Sequence, residues 1–328
     1  MSEARVGTRA VAPGKAFVCG EYAVLEGGMA VVAAVDRLAV AEIRSAADAP
    51  PATDFVAAAL AEMKTRFGLT VPGIAIDTSA FSHRENRKLG LGSSAATVAA
   101  TVCAVWLAHE RPLARARMTL HDAALAAHAR AQEARGAAGS GADVSASIMG
   151  GLTGFQRTAS ITRAVHLDHG PLSGGPGSAT LCFVDTGNPA DTAGMLANLG
   201  SLRDRARTRY DSTFEALRQG ARRFLSALEA AQIHEMIQEY DSYGAALEAL
   251  GVLAGSPIVT PAHAAVRTLA RALGGAAKPS GAGGGDLAAV LLPPGIAPEA
   301  LDPGLAAAGL ARVPLALRHA GAGLEQAR

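Results

Sequence analysis

Residues 90–108 read GLGSSAATVAATVCAVWLA, and no charged side chain stands between Lys88 and Glu110. A helix that is small or apolar on every face cannot lie on a protein surface, so other elements must cover it all round. At residues 94–108 the run is shorter than the roughly 20 residues a bilayer demands, and it carries threonines. It therefore predicts a central, buried, alanine-rich helix entered from a glycine turn. The first residues, MSEARVGTRAVAPGK, contain no apolar secretory core. The expectation is a cytoplasmic chain without membrane contact.

Burying such a helix takes a large core, and 328 residues with 49% hydrophobic side chains supply one. That length predicts two medium domains. The net charge of +1 gives no overall pull toward nucleic acid or an anionic membrane, so anion handling must be local. Cys19, Cys103 and Cys182 are widely separated in apolar contexts, which predicts reduced core residues and no metal site of the CxxC type. Only four of the 30 basic residues are lysines, namely Lys15, Lys64, Lys88 and Lys278. Three of these lie in or beside Gly/Ser-rich stretches, as compact ammonium groups placed for a purpose would.

Around the helix, residues 8–11, 16–19, 29–34 and 38–43 read as short strands separated by Pro13, Gly14, Gly20, Gly27, Gly28 and Asp36. Phe55, Val56, Leu60, Met63 and Phe67 fall at helical spacing between Thr53 or Asp54 and Gly68. Ile74 and Ile76 alternate as a strand, and a helix is predicted over about 120–135. After a strand at 179–184 the texture becomes helical from about 191 to 273. A glycine loop, a strand at 287–292, a helix near 298–308 and a strand at 312–317 follow. The spacing predicts an α+β chain whose boundary lies in the LSGGPGS region, giving domains 1–185 and 186–328.

Four stretches carry chemistry. In RKLGLGSSAAT, Gly90 and Gly92 permit unusual backbone, and Ser93 and Ser94 open a helix whose free N–H groups favour an anion such as phosphate. An ordinary serine cap fits as well. Asp143, among the small residues of GSGADVSAS, reads as a base or as the cap of a helix starting near Val144. Lys15 follows a Pro-Gly turn and is predicted at a strand end. In KPSGAGGGD, residues 278–286, four glycines precede an apolar strand, a pattern that fits an anion, a helix end, a tight turn or a flexible surface loop; a close approach to phosphate or to the substrate beside it is the expectation.

In this order, APGKAFVCGEYAVLEGG, KLGLGSSAAT and KPSGAGGGD resemble the three motifs of the GHMP kinase superfamily. The resemblance implies the GHMP kinase fold: an N-terminal α+β domain with a left-handed βαβ element, and a C-terminal ferredoxin-like domain. It implies ATP and Mg2+. By position, Lys88, Gly90, Leu91, Gly92, Ser93, Ser94 and Ala95 fall to the nucleotide, with Ser94 as metal ligand, and Asp143 with Lys15 to catalysis. Glu21, Tyr22, Ser140, Gly141, Ser280, Gly281, Ala282 and Gly283 fall to the substrate.

Tyr22 in GEYAVLE, with the second and third motifs, looks like the phosphomevalonate kinase forms, whereas mevalonate kinases usually carry histidine there. Ala142 departs from that pattern, which often has an aromatic residue before the aspartate. The function this implies is ATP-dependent transfer to 5-phosphomevalonate giving 5-diphosphomevalonate, with mevalonate as the alternative acceptor and a non-catalytic metabolite sensor as the rival class. No nucleic-acid or membrane partner is expected, and the assembly is a monomer or homodimer. Two basic clusters could meet a phosphorylated acceptor: His83, Arg84, Arg87 and Lys88, and Arg203, Arg205, Arg207 and Arg209.

Overall fold

The computed structural model describes residues 3–83, 87–136 and 139–324, with backbone alone for residues 83, 87 and 88. Arg84 and the side chains of His83, Arg87 and Lys88 lie outside the described residues, and with them the expected roles of Lys88 and of the first basic cluster. In chain order the elements begin β1 (Arg9–Cys19), β2 (Met29–Arg44), α1 (Asp54–Phe67), β3 (Gly73–Asp77), β4 (Ser82–His83), β5 (Arg87–Lys88) and α2 (Ser93–Ala108). There follow α3 (Arg117–Glu133), α4 (Ala142–Met149), β6 (Leu152–Arg157), β7 (Thr162–Leu167), β8 (Thr180–Asp185), α5 (Thr192–Arg205) and α6 (Arg207–Glu229). The chain continues through α7 (Ile233–Ala254), α8 (Pro261–Ala272), β9 (Ala276–Ser280), β10 (Leu287–Leu292), α9 (Asp302–Ala307), β11 (Ala311–Val313) and β12 (Gly323–Leu324).

The first sheet runs β12-β1-β2-β6-β7, with β3 and β6 sharing one edge of the long β2. Helix α2 lies on β1 and β2 and is flanked by α1, α3 and α4. Its residues from Ala95 to Val105 are all buried, as an all-apolar helix requires. The Thr101 hydroxyl donates to the Thr97 carbonyl at 2.8 Å, so this buried hydroxyl is satisfied within its own helix. Thr53 and Gly68 bracket α1 as expected, with Gly68 left-handed.

Strand β1 corrects one reading. Pro13 and Gly14 are not a turn between two strands; β1 passes through them, opposite Leu38 and Val35 of β2 respectively. The jump between those partners leaves Asp36 and Arg37 bulged out of β2, and a bulge tolerates the proline that a regular ladder rejects. Lys15 therefore sits inside a strand, not at its end.

The second sheet has the order β11-β8-β10-β9, all antiparallel. Taken in chain order its strands lie 4-1-3-2, with α5 to α8 between the first two and α9 between the last two, which is the ferredoxin-like arrangement. By hydrogen bonding β8 belongs to this sheet although it ends at Asp185, and the chain returns at its far end to pair β12 with β1. The two halves have the two-sheet α+β architecture expected from the resemblance. No helix among the described residues is long and apolar enough to cross a membrane, and all three cysteines are buried and free.

Candidate active site

Three segments distant in sequence meet at one point. The Lys15 side chain is 9% exposed, and its ammonium donates to the Gly90 carbonyl at 2.9 Å while its backbone N–H donates to the Leu91 carbonyl at 2.9 Å. Strand β1 thus holds the loop that opens α2. Gly90 and Gly92 are both left-handed, and a β-carbon on Gly90 would overlap the Asp286 carboxylate. Gly92 caps α2, leaving the N–H groups of Ser93, Ser94 and Ala95 at a helix start, where an anion is favoured.

Asp143 arrives from the other side. It stands in the first turn of α4, whose cap is the left-handed Gly141, so the cap reading of Asp143 is overturned. The Val144 N–H donates to Asp143 Oδ1 at 2.9 Å. Atoms that would crowd a β-carbon on Gly92 include Lys15 Cγ at 3.0 Å and Asp143 Cβ at 3.7 Å, which fixes how closely these residues converge. Burial pulls the Lys15 pKa below the ordinary 10.5, and the charges of Asp143, Asp286 and Glu21 oppose that shift.

The glycine loop closes the third side, and its answer differs from the expected one. Gly283 and Gly285 press on the carbonyls of Ile258 and Asn188, and the Gly284 N–H donates to the Ile258 carbonyl at 2.9 Å. What the backbone approaches there is the protein itself. Among the loop's glycines Gly281 faces the cluster, where a β-carbon added to it would lie 4.0 Å from Lys15 Nζ.

Further out, the Tyr22 hydroxyl donates to the Ala282 carbonyl and Ser280 donates to the Phe17 carbonyl at 3.0 Å. The first and third motifs are thereby tied together. Glu21 is buried against Lys278 rather than open to the cleft. The Ser140 hydroxyl accepts from Ala142 N–H at 3.3 Å and lines a cavity of about 610 Å³ with Glu26, Gln132 and Arg157. A larger cavity, about 1330 Å³ and edged by Arg5, Arg9, Arg111 and Arg318, contains none of these residues. In the second basic cluster Arg207 pairs with Asp211 at 2.8 Å and Arg205 donates to the Leu253 carbonyl at 3.0 Å, so these two serve the helix surface.

Two contributors escaped sequence reading. Asp286, at the end of the third motif, has a positive φ of 54°, and its Oδ1 accepts from Ala190 N–H at 3.3 Å. His128 is buried and stacked on Phe55, and its Nε2 lies 3.1 Å from the Ser94 hydroxyl. The third-motif spacing signals the first; nothing in the sequence of α3 signals the second. No cluster of His, Cys, Asp or Glu among the described residues could hold a metal unaided. Ser94 beside bound phosphates fits Mg2+, which keeps several waters and takes few protein ligands.

Residues 54–151 match the family of GHMP kinase N-terminal domains. Over 337 aligned residues the chain is 30% identical to a phosphomevalonate kinase of Streptomyces sp. (strain CL190), covering 86% of this chain and 88% of that one. The chain belongs to the GHMP kinases, with the phosphomevalonate kinases. It is thus an ATP-dependent small-molecule kinase. The solved Streptococcus pneumoniae phosphomevalonate kinase in complex with phosphomevalonate and AMPPNP is 20% identical, covers 94% of this chain and 99% of its own, and superposes with a TM-score of 0.77. The Lin0012 protein from Listeria innocua is 19% identical, with a TM-score of 0.81 over 97% of this chain and 100% of that one. At such identities these two bear on the fold alone.

Proposed function

We propose that this kinase transfers the γ-phosphoryl group of ATP to 5-phosphomevalonate, giving 5-diphosphomevalonate, in the cytoplasm. The observation that carries the reading is the convergence of Lys15, Asp143 and the Gly90–Ser94 turn beside Gly281. The acceptor is taken from the relative at 30% identity and from Tyr22 in the first motif.

In this mechanism the N–H groups at the start of α2 receive the nucleotide phosphates and Lys15 sets its ammonium against the charge developing on the transferring group. Ser94 would hold Mg2+, which when bound would supply charge neutralisation for those phosphates. Asp143 takes, or orients, the proton on the attacking acceptor oxygen. When that oxygen is already ionised, Asp143 acts through position and through its field on Lys15. Tyr22 and the Ser280–Gly283 segment shape the acceptor side. On this reading the first sheet with α1 to α4 forms the nucleotide unit and the second sheet with its helices closes the acceptor side.

Coupled ADP release with MgATP tests the proposal, using 5-phosphomevalonate and mevalonate as separate acceptors. Turnover with the phosphorylated acceptor alone is the expected result. Turnover with mevalonate alone would overturn the acceptor assignment, and none with either would overturn both.

A further inference from the structure

The kinase buries an ion pair outside the cluster formed by Lys15, Asp143 and the α2 turn. Lys278, in β9, and Glu21, just after β1, are 1% and 2% exposed, and the Lys278 ammonium donates to Glu21 Oε1 and to the Pro279 carbonyl at 3.0 Å. Tyr240 and Tyr243 of α7 place their rings 5.0 and 5.9 Å from that ammonium, a cation–π box closed from a third element. Tyr243 also donates its hydroxyl to the Glu21 carbonyl at 2.7 Å. Glu21 Oε2 is buried and has no hydrogen-bond partner among the described residues. Hydrophobic residues of the same volume commonly stabilise a fold as well as or better than such a pair, so stability alone does not account for it.

The neighbouring residue shows what the pair does. Tyr22 has φ 63° and ψ −48°, a positive-φ backbone outside the left-handed helical well that costs an aromatic residue strain and persists only where its surroundings hold it. Those surroundings are Glu21 on one side, fixed by Lys278 and Tyr243, and the Ala282 carbonyl on the other, which accepts from the Tyr22 hydroxyl. Ser280, two residues after Lys278, donates to the Phe17 carbonyl at 3.0 Å. The pair therefore clamps the strained turn of the first motif to the glycine loop of the third. Its carboxylate is also one of the charges acting on Lys15.

We propose that Glu21 and Lys278 are positioning residues for the acceptor: they hold Tyr22 and the Ser280–Gly283 segment in the geometry that binds and aligns it, without touching it. This rests on the acceptor assignment above and refines it. The role of Glu21 changes from contact to positioning.

The test compares wild type, Lys278→Met, and the double variant Glu21→Gln with Lys278→Met. Three readouts are taken: urea midpoint, AMPPNP affinity by calorimetry, and steady-state kinetics with 5-phosphomevalonate. Lys278→Met leaves a buried carboxylate unpaired and lowers the urea midpoint most. The double variant restores the midpoint and binds AMPPNP as wild type does, while kcat/KM for the acceptor stays about 10- to 100-fold down, the scale of a misplaced reacting group. A double variant with wild-type midpoint and wild-type acceptor kinetics would overturn the proposal. Tyr243→Phe, which removes one hydroxyl from the clamp, provides the same readout should the double variant not fold. Raised acceptor KM with unchanged AMPPNP affinity supports the proposal, and unchanged acceptor KM overturns it. Failure of wild type to use 5-phosphomevalonate at all would instead sink the acceptor assignment.

Discussion

Burial strips water from the Lys15 ammonium, and the Gly90 carbonyl with the charges of Asp143, Asp286 and Glu21 replaces only part of that solvation. The lowered pKa has a testable sign. Between its folded value and 10.5 the unfolded chain binds more protons at this residue than the folded chain does, so its contribution to stability rises with pH through that window. The urea midpoint of wild type should therefore gain on that of Lys15→Met as the solution approaches pH 10.5; parallel curves would contradict it. Ser94 offers a second test at this scale. His128 holds its hydroxyl at 3.1 Å, and His128→Phe keeps an aromatic ring against Phe55 while losing that hydrogen bond. A bond of about 1 kcal/mol corresponds to roughly five-fold weaker MgAMPPNP binding by calorimetry, with acceptor KM unchanged.

Among the elements, α2 carries the tightest constraint. Ala99 and Ala100 are fully buried, so Ala100→Leu should lower unfolding free energy by about 1–3 kcal/mol through overpacking, measured by urea denaturation. This helix was legible because its composition admits only burial, and α1 because Thr53 and Gly68 mark its ends. The long strands were less so. Pro13, Gly14 and Asp36 read as breaks because turn residues and bulge residues are the same residues, and only the partner strand distinguishes them. Strands β6, β7 and β9 went unread since Gly154, the polar ends of the β6–β7 hairpin and Pro279 mask their alternation. In the site, Lys15, Asp143 and the α2 turn were legible from local motifs. His128 and the Glu21–Lys278 pair were not, because the residues they join are 34 and 257 positions apart.

For the molecule as a whole, the two sheets matter less as separate domains than as two faces of one site. Lys15 comes from the first sheet and Gly281 from the loop that leaves β9 of the second, and the end of the described chain ties back through β12 to β1. A ligand binding only the folded chain here stabilises it by about 2.7 kcal/mol at 100 times its dissociation constant, so saturating MgAMPPNP should raise the melting temperature. The gain should shrink in Lys15→Met, read by differential scanning calorimetry. The central claim, that phosphoryl transfer takes place where Lys15, Asp143 and the α2 turn meet, is tested most directly by the turnover of Asp143→Ala with MgATP and 5-phosphomevalonate. The account predicts a fall of at least about 100-fold in kcat with AMPPNP binding retained, and wild-type turnover by that variant would contradict it.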